Sequence, residues 1–268
     1  HRAIFAGEIN AMEFASVSRE RFQIEAIEYV NQFYREIVKQ PESVRELRRR
    51  ADDQGVKSLL IMVDGEGQIG ASEESERKAV VENHRKWMEM AAVLGCHSIR
   101  VNAGGPGDRG ALRPRAVEGL RGLCEAAQPF GLNVIVENHG GWSSDGAWLA
   151  AVIEEVGLSN CGTLPDFGNF CIRREESAQG RICVEAYDRY RGVTELMPRA
   201  RAVSAKSYAF DDAGNETTID YGRMLKIVRE AGYSGYIGIE FEGKTLSEEA
   251  GILQTKALLT RHINSNSP

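Results

Sequence analysis

Three segments of this chain end an apolar run on a carboxylate: Val134-Ile135-Val136-Glu137-Asn138-His139, Leu164-Pro165-Asp166-Phe167-Gly168-Asn169 and Ile237-Gly238-Ile239-Glu240-Phe241-Glu242. If these runs are parallel strands of one sheet, Glu137, Asp166 and Glu240 all sit at strand C-terminal ends, where the loops of such folds build pockets. Three carboxylates gathered without counter-charge repel one another, so either their pKa values rise or a cation sits among them. A divalent ion is the simpler answer. Oxygen ligands favour Mn2+ or Mg2+, with Zn2+ or Co2+ if an imidazole joins them. For any one carboxylate alone, a helix cap or a plain pair with Lys or Arg competes with that reading, and three at equivalent strand ends weigh against it.

Other polar residues extend the candidate site. His139 shares a strand face with Glu137. Lys206 shares one with Ser204 by the period of two, so it either donates to a substrate oxygen and neutralises the acids, or simply pairs with Glu240 or Glu242. Arg100 and Asn102 end another strand, where they could bind substrate or belong to a structural polar network. Trp142 follows the Glu137 segment and offers an apolar wall of a pocket or a packing contact.

The elements that must position these residues follow a repeating punctuation, in which an amphipathic segment ends on glycine and an apolar run follows. The glycines are Gly55, Gly95, Gly131, Gly157 and Gly232, each suited to the left-handed residue that ends a helix. Helices are predicted from Pro41 to Gly55, from Glu73 to Leu94 with Ser72 as N-cap, and near 112–129, 145–156, 185–197, 220–231 and 246–261. Strands are predicted at Val56–Val63, Ser98–Asn102, Leu132–Val136, Tyr236–Phe241, Gln23–Val30, Cys161–Asp166 and Ala202–Ser207, buried on both faces. That makes seven, and the eighth needed to close a barrel is expected upstream with its tail at His1–Ala6. The fold class is therefore an α/β (β/α)8 TIM barrel with a truncated first strand, filling residues 1–268 as a single domain. Gly104-Gly105-Pro106-Gly107 lacks the G-x-G-x-x-G spacing of a dinucleotide loop and argues against an open doubly wound sheet.

Bulk properties narrow the class further. Among 268 residues, 33 Lys plus Arg face 39 Asp plus Glu, a formal charge of -6, which lacks the basic excess of a nucleic-acid binder. No apolar run approaches a membrane span, and cytoplasmic residence is expected, with room for a targeting segment upstream of His1. Five cysteines without a C-x-x-C pair read as reduced structural thiols. A homo-oligomer is compatible with all of this.

The stretches Val136-Glu137-Asn138-His139-Gly140-Gly141, Leu164 to Phe170, Ser204-Ala205-Lys206-Ser207-Tyr208 and Gly238 to Gly243 resemble the xylose-isomerase-like barrel superfamily, in the same motif order. In the sugar isomerases and epimerases of that group a divalent ion is held by Glu, Asp, His and Glu, which the resemblance places on Glu137, Asp166 and Glu240 with the histidine replaced by Ser204. Coordination would then be completed by water, substrate oxygens or His139. The resemblance implies isomerisation or epimerisation of a keto sugar or sugar phosphate through an enediolate, with Glu137 and Glu240 moving the proton. A dehydratase or lyase acting on an inosose or keto-glycoside uses the same chemistry. A non-catalytic sugar-binding protein is the alternative of another class.

Overall fold

The computed structural model describes residues 2–178 and 180–264. They fall into two compact units, one running through Val136 and including Val152–Gly162, the other comprising Glu137–Ala151 and the chain from Thr163 onward.

In the first unit helices and strands alternate: α1 (Arg2–Phe5), α2 (Phe14–Phe22), β1 (Ala26–Val30), α3 (Pro41–Asp53), β2 (Lys57–Met62), α4 (Glu74–Leu94), β3 (Ser98–Val101), α5 (Arg109–Ala127) and β4 (Asn133–Glu137). Strands β1 to β4 pair in parallel, with Ile61 opposite Ile99 and Ile99 opposite Val134. Leu60, Ile61, Ile99, Val134 and Ile135 are all buried, which is why the runs read as continuous apolar strands rather than alternating ones. Helix α3 starts on Pro41, whose fixed φ suits a first helical position. Helix α4 ends at Gly95, whose N–H bonds back to the Ala91 and Ala92 carbonyls. All five glycines of the punctuation have positive φ, from 63° at Gly55 to 75° at Gly95.

Helix α6 (Gly146–Val156) and strand β5 (Cys161–Leu164) lead into the second unit. There follow a hairpin of β6 (Cys171–Ser177) and β7 (Gly180–Ala186), then α7 (Arg189–Leu196), β8 (Val203–Ser207), α8 (Tyr221–Glu230), β9 (Ile237–Phe241) and α9 (Glu248–Asn264). Phe167, Val193, Val203, Tyr221 and Met224 form its core. Thr163 bridges in parallel to Ala200 and Asp166 to Ser204. Strands β8 and β9 run parallel with Lys206 opposite Glu240. Asp166 therefore stands level with Ser204, and Lys206, two residues further along β8, stands level with Glu240 on β9.

Several expectations need correction. Arg2–Phe5, expected to be the tail of a strand, is helical, and Gly7 at φ 73° ends it with the same left-handed turn that ends the longer helices; His1 lies outside the described residues. The N-cap of α4 is Glu73 rather than Ser72. The helix expected from 185 begins at Arg189, because Glu185 and Ala186 belong to β7. Strand β9 is half-buried throughout rather than covered on both faces. The hairpin went unread because its strands carry charge in place of an apolar pattern: Arg173 pairs with Glu185 and Arg181 with Glu176. It joins Cys171 to Cys183 in a disulfide, with Cα atoms 5.9 Å apart, so the reading of all cysteines as reduced fails there. No helix among the described residues is long and apolar enough to cross a membrane.

Alkylation under denaturing, non-reducing conditions should label Cys96, Cys124 and Cys161 alone, and reduction should expose Cys171 and Cys183 as well. Labelling of every cysteine without reductant would contradict the hairpin cross-link.

Candidate active site

The site is built from strand ends of the second unit. Glu137 ends β4 and is 1% exposed, Asp166 follows β5 and is fully buried, and Glu240 lies on β9. One carboxylate oxygen from each lies within 4.8 Å of the other two. Two full charges at that separation repel by about 3 kcal/mol at an effective dielectric constant of about 20.

The surrounding hydrogen bonds fix each carboxylate. Asp166 Oδ1 accepts from the Gly168 and Asn169 backbone N–H groups at 2.8 and 2.7 Å. The Asn138 side chain clamps the Asp166 backbone, accepting from its N–H at 2.8 Å and donating to its carbonyl at 3.0 Å. Asn169 Nδ2 donates to Glu137 Oε1 at 3.1 Å. Glu240 accepts from Ser204 Oγ at 3.0 Å and from Lys206 Nζ at 2.9 Å. Lys206 Nζ also lies 3.2 Å from Glu242 Oε1 and 3.9 Å from Asp166 Oδ2. Among the described residues Asp166 Oδ2 is buried and accepts no hydrogen bond.

Burial, with the neighbouring Glu240 and Glu137 charges, pushes the Asp166 carboxyl well above the usual carboxylate range despite the opposing Lys206 charge. For Lys206 burial disfavours the ammonium, but Asp166, Glu240 and Glu242 outweigh it and its pKa rises. Lys206 is thus a fixed cation and cannot ligate a metal. The residues fit a divalent cation all the same. Three hard oxygen donors converge, buried Asp166 Oδ2 accepts no hydrogen bond, and Asp166, Glu240 and Glu242 share the single Lys206 ammonium.

The other candidates fall out unevenly. Lys206 and Ser204 both reach Glu240, as the period of two implied, and Lys206 bridges to Glu240 and Glu242 together. The His139 side chain is exposed and adds no ligand to the cluster, and Trp142, on the turn Gly141–Ser144, is half-buried. Arg100 and Asn102 belong to the first unit, where both donate to Asp64 Oδ1 at 2.7 Å, the structural network weighed against a substrate role. The clamps Asn138 and Asn169 went unassigned by sequence reasoning, although their places one residue after Glu137 and three after Asp166 were the available signal.

Replacing Lys206 by Met should leave the carboxylates uncompensated and lower stability in EDTA by about 2 to 3 kcal/mol, with millimolar Mn2+ recovering part of the loss. Urea denaturation with and without Mn2+ measures this. Unchanged stability would mean that the ammonium does not hold the cluster.

The model of the xylose isomerase-like TIM barrel family matches residues 20–262. Among solved structures, the IolI protein with a binding zinc atom has a TM-score of 0.72 at 14% identity, covering 99% of this chain and 97% of that one. D-psicose 3-epimerase with D-tagatose from Clostridium cellulolyticum H10 scores 0.71 at 12% identity, covering 96% and 93%. A xylose isomerase-like TIM barrel protein from Mycobacterium smegmatis in complex with magnesium scores 0.68 at 16% identity, covering 95% and 89%. Two curated relatives match over short stretches. The 3'-dehydrocarminate deglycosidase alpha subunit of Microbacterium sp is 40% identical over 48 residues, 18% of this chain and 14% of that protein. The C-glycoside deglycosidase alpha subunit of Arthrobacter globiformis is 35% identical over 54 residues, 20% and 15% respectively. With its alternating strands and helices and its strand-end carboxylates, this chain belongs to the xylose isomerase-like TIM barrel family.

Proposed function

We propose that this protein is an isomerase or epimerase of a keto sugar or sugar phosphate, dependent on a divalent cation, Mn2+ or Mg2+, held by Glu137, Asp166 and Glu240. The observation that carries the reading is the buried Asp166 Oδ2, aimed among two further carboxylates with no hydrogen bond to satisfy it. The similar fold of an epimerase structure holding D-tagatose supports the substrate class. When bound, a divalent cation supplies a Lewis acid that polarises a carbonyl and eases loss of the neighbouring proton.

The chain's own residues then do the proton work. Glu240, held at Oε1 by Lys206 and at Oε2 by Ser204, is oriented to take up a proton. Glu137, held at Oε1 by Asn169, serves as the second proton-moving carboxylate. His139 and Trp142 follow Glu137 in the same loop and are the proposed substrate contacts there, while Lys206 places positive charge beside substrate oxygens. Arg100 and Asn102 are engaged with Asp64 and are given no substrate role.

The stretches shared with two deglycosidase alpha subunits favour a second reading, a lyase acting on a keto-glycoside. It begins with the same proton removal and ends in loss of the β-substituent.

In D2O with Mn2+, the protein should exchange deuterium into the carbon beside the carbonyl of D-psicose, D-tagatose or a 3-keto-D-glucoside. EDTA should stop the exchange and Mn2+ restore it, and release of the aglycone would select the lyase. With Mn2+ occupancy retained, Glu137→Gln and Glu240→Gln should each lower turnover by roughly a hundredfold to ten-thousandfold. Undiminished turnover in metal-free protein would overturn the cation dependence. Binding without exchange would point to a sugar-binding protein.

A further inference from the structure

Tyr208, one residue beyond β8, stands beside the carboxylate cluster. Its backbone is held by a carboxylate outside the cluster. Glu216, 8% exposed, accepts from the N–H groups of Tyr208 and Ala209 at 3.1 and 3.2 Å through Oε1, and from the Thr218 N–H at 2.6 Å and the Ile219 N–H through Oε2. One buried side chain therefore ties both arms of the 208–219 loop together.

Two glycines complete the cradle. A Cβ on Gly168 would lie 2.5 Å from the Tyr208 hydroxyl and 2.9 Å from Lys206 Cγ. A Cβ on Gly243 would lie 2.0 Å from the Tyr208 carbonyl oxygen. Gly168 is also the residue whose N–H holds Asp166 Oδ1, so the phenol rests on the same turn that orients the buried carboxylate. Burial first, then the Asp166 charge, pushes the phenol up to about 12, with Lys206 opposing and Glu242 and Glu240 adding to the shift. The hydroxyl is thus a neutral O–H group at ordinary pH. Among the described residues it has no hydrogen-bond partner.

A half-buried phenol resting on the Gly168 turn, its backbone held by Glu216 and its donor unused beside a set of acids, is organised to meet something the protein does not supply. We infer that Tyr208 donates a hydrogen bond to an oxygen of the substrate bound at the carboxylate site, and that Glu216 is the residue that positions it. The inference rests on the proposed sugar chemistry and names a specificity-determining contact within it. The ligand group is a neutral hydroxyl or carbonyl oxygen, because a carboxylate or phosphate there would face Asp166, Glu240 and Glu242 at short range.

The test compares wild type, Tyr208→Phe, Glu216→Gln and the double variant, each loaded with Mn2+, on D-psicose, D-tagatose and a 3-keto-D-glucoside. Tyr208→Phe removes only the hydroxyl and should lower kcat/KM by about tenfold to a hundredfold, with melting temperature and Mn2+ affinity unchanged. Glu216→Gln should lower kcat/KM too, and the double variant should fall no further than the worse single one, since both losses pass through one phenol. Wild-type turnover matched by Tyr208→Phe would overturn this inference and leave the proposed function standing, and additive losses in the double variant would overturn the positioning role. Absence of exchange or turnover by wild type on every sugar would overturn the proposed function, and the inference with it.

Discussion

Three carboxylates brought together, two of them buried, impose the governing constraint on this protein. Glu137, Asp166 and Glu240 place oxygens within 4.8 Å of one another, a repulsion that the fold must offset in place. Lys206 offsets part of it through the bond to Glu240 and its approach to Glu242 and Asp166. Backbone N–H groups of Gly168 and Asn169 offset another part at Asp166 Oδ1. One ammonium does not balance three carboxylates, and Asp166 Oδ2, 3.9 Å from Lys206 Nζ, accepts no hydrogen bond. Such a remainder gives a dication a reason to bind.

The secondary structure serves that arrangement. Parallel pairing of Asp166 with Ser204, and of Lys206 with Glu240, sets the carboxylates and the ammonium at neighbouring levels of one sheet face. A slip of one residue would turn Lys206 away and leave the acids facing one another unpaired. Asn138 and Asn169 then lock the loop of one strand end to the next, so that Glu137 and Asp166 are oriented by the same pair of amides. Ser204 donates to Glu240, and the cluster offers carboxylate oxygens as its donors, a hard set that suits the proposed divalent cation.

Much of this was legible in the residue order, for identifiable reasons. Glu137 at the end of β4, Glu240 one residue before the end of β9 and Asp166 just past β5 stand out because a charged residue closing an apolar run has few structural excuses. The five helix-ending glycines carry their conformation in their identity, and every one has positive φ. The period of two correctly placed Lys206 with Ser204. Features that depend on contacts between distant segments were opaque. The disulfide requires the hairpin, and the hairpin has a charged pattern that resembles solvent-exposed loop. Arg100 and Asn102 gave no hint that Asp64, 36 and 38 residues earlier, would engage both of them. Nothing in the residue order marks Glu216, whose carboxylate gathers four backbone N–H groups.

The central claim is that a divalent cation completes the charge balance at these three carboxylates, and crystals soaked in MnCl2 test it most directly. Anomalous scattering at the manganese edge should show a peak with carboxylate oxygens of Glu137, Asp166 and Glu240 within about 2.0 to 2.6 Å. That peak should vanish in Asp166→Ala, which removes both ligand oxygens. Manganese that binds elsewhere, or no peak at saturating concentration with Lys206 still seated on Glu240, would show that the ammonium alone balances the site and that the account of its chemistry is wrong.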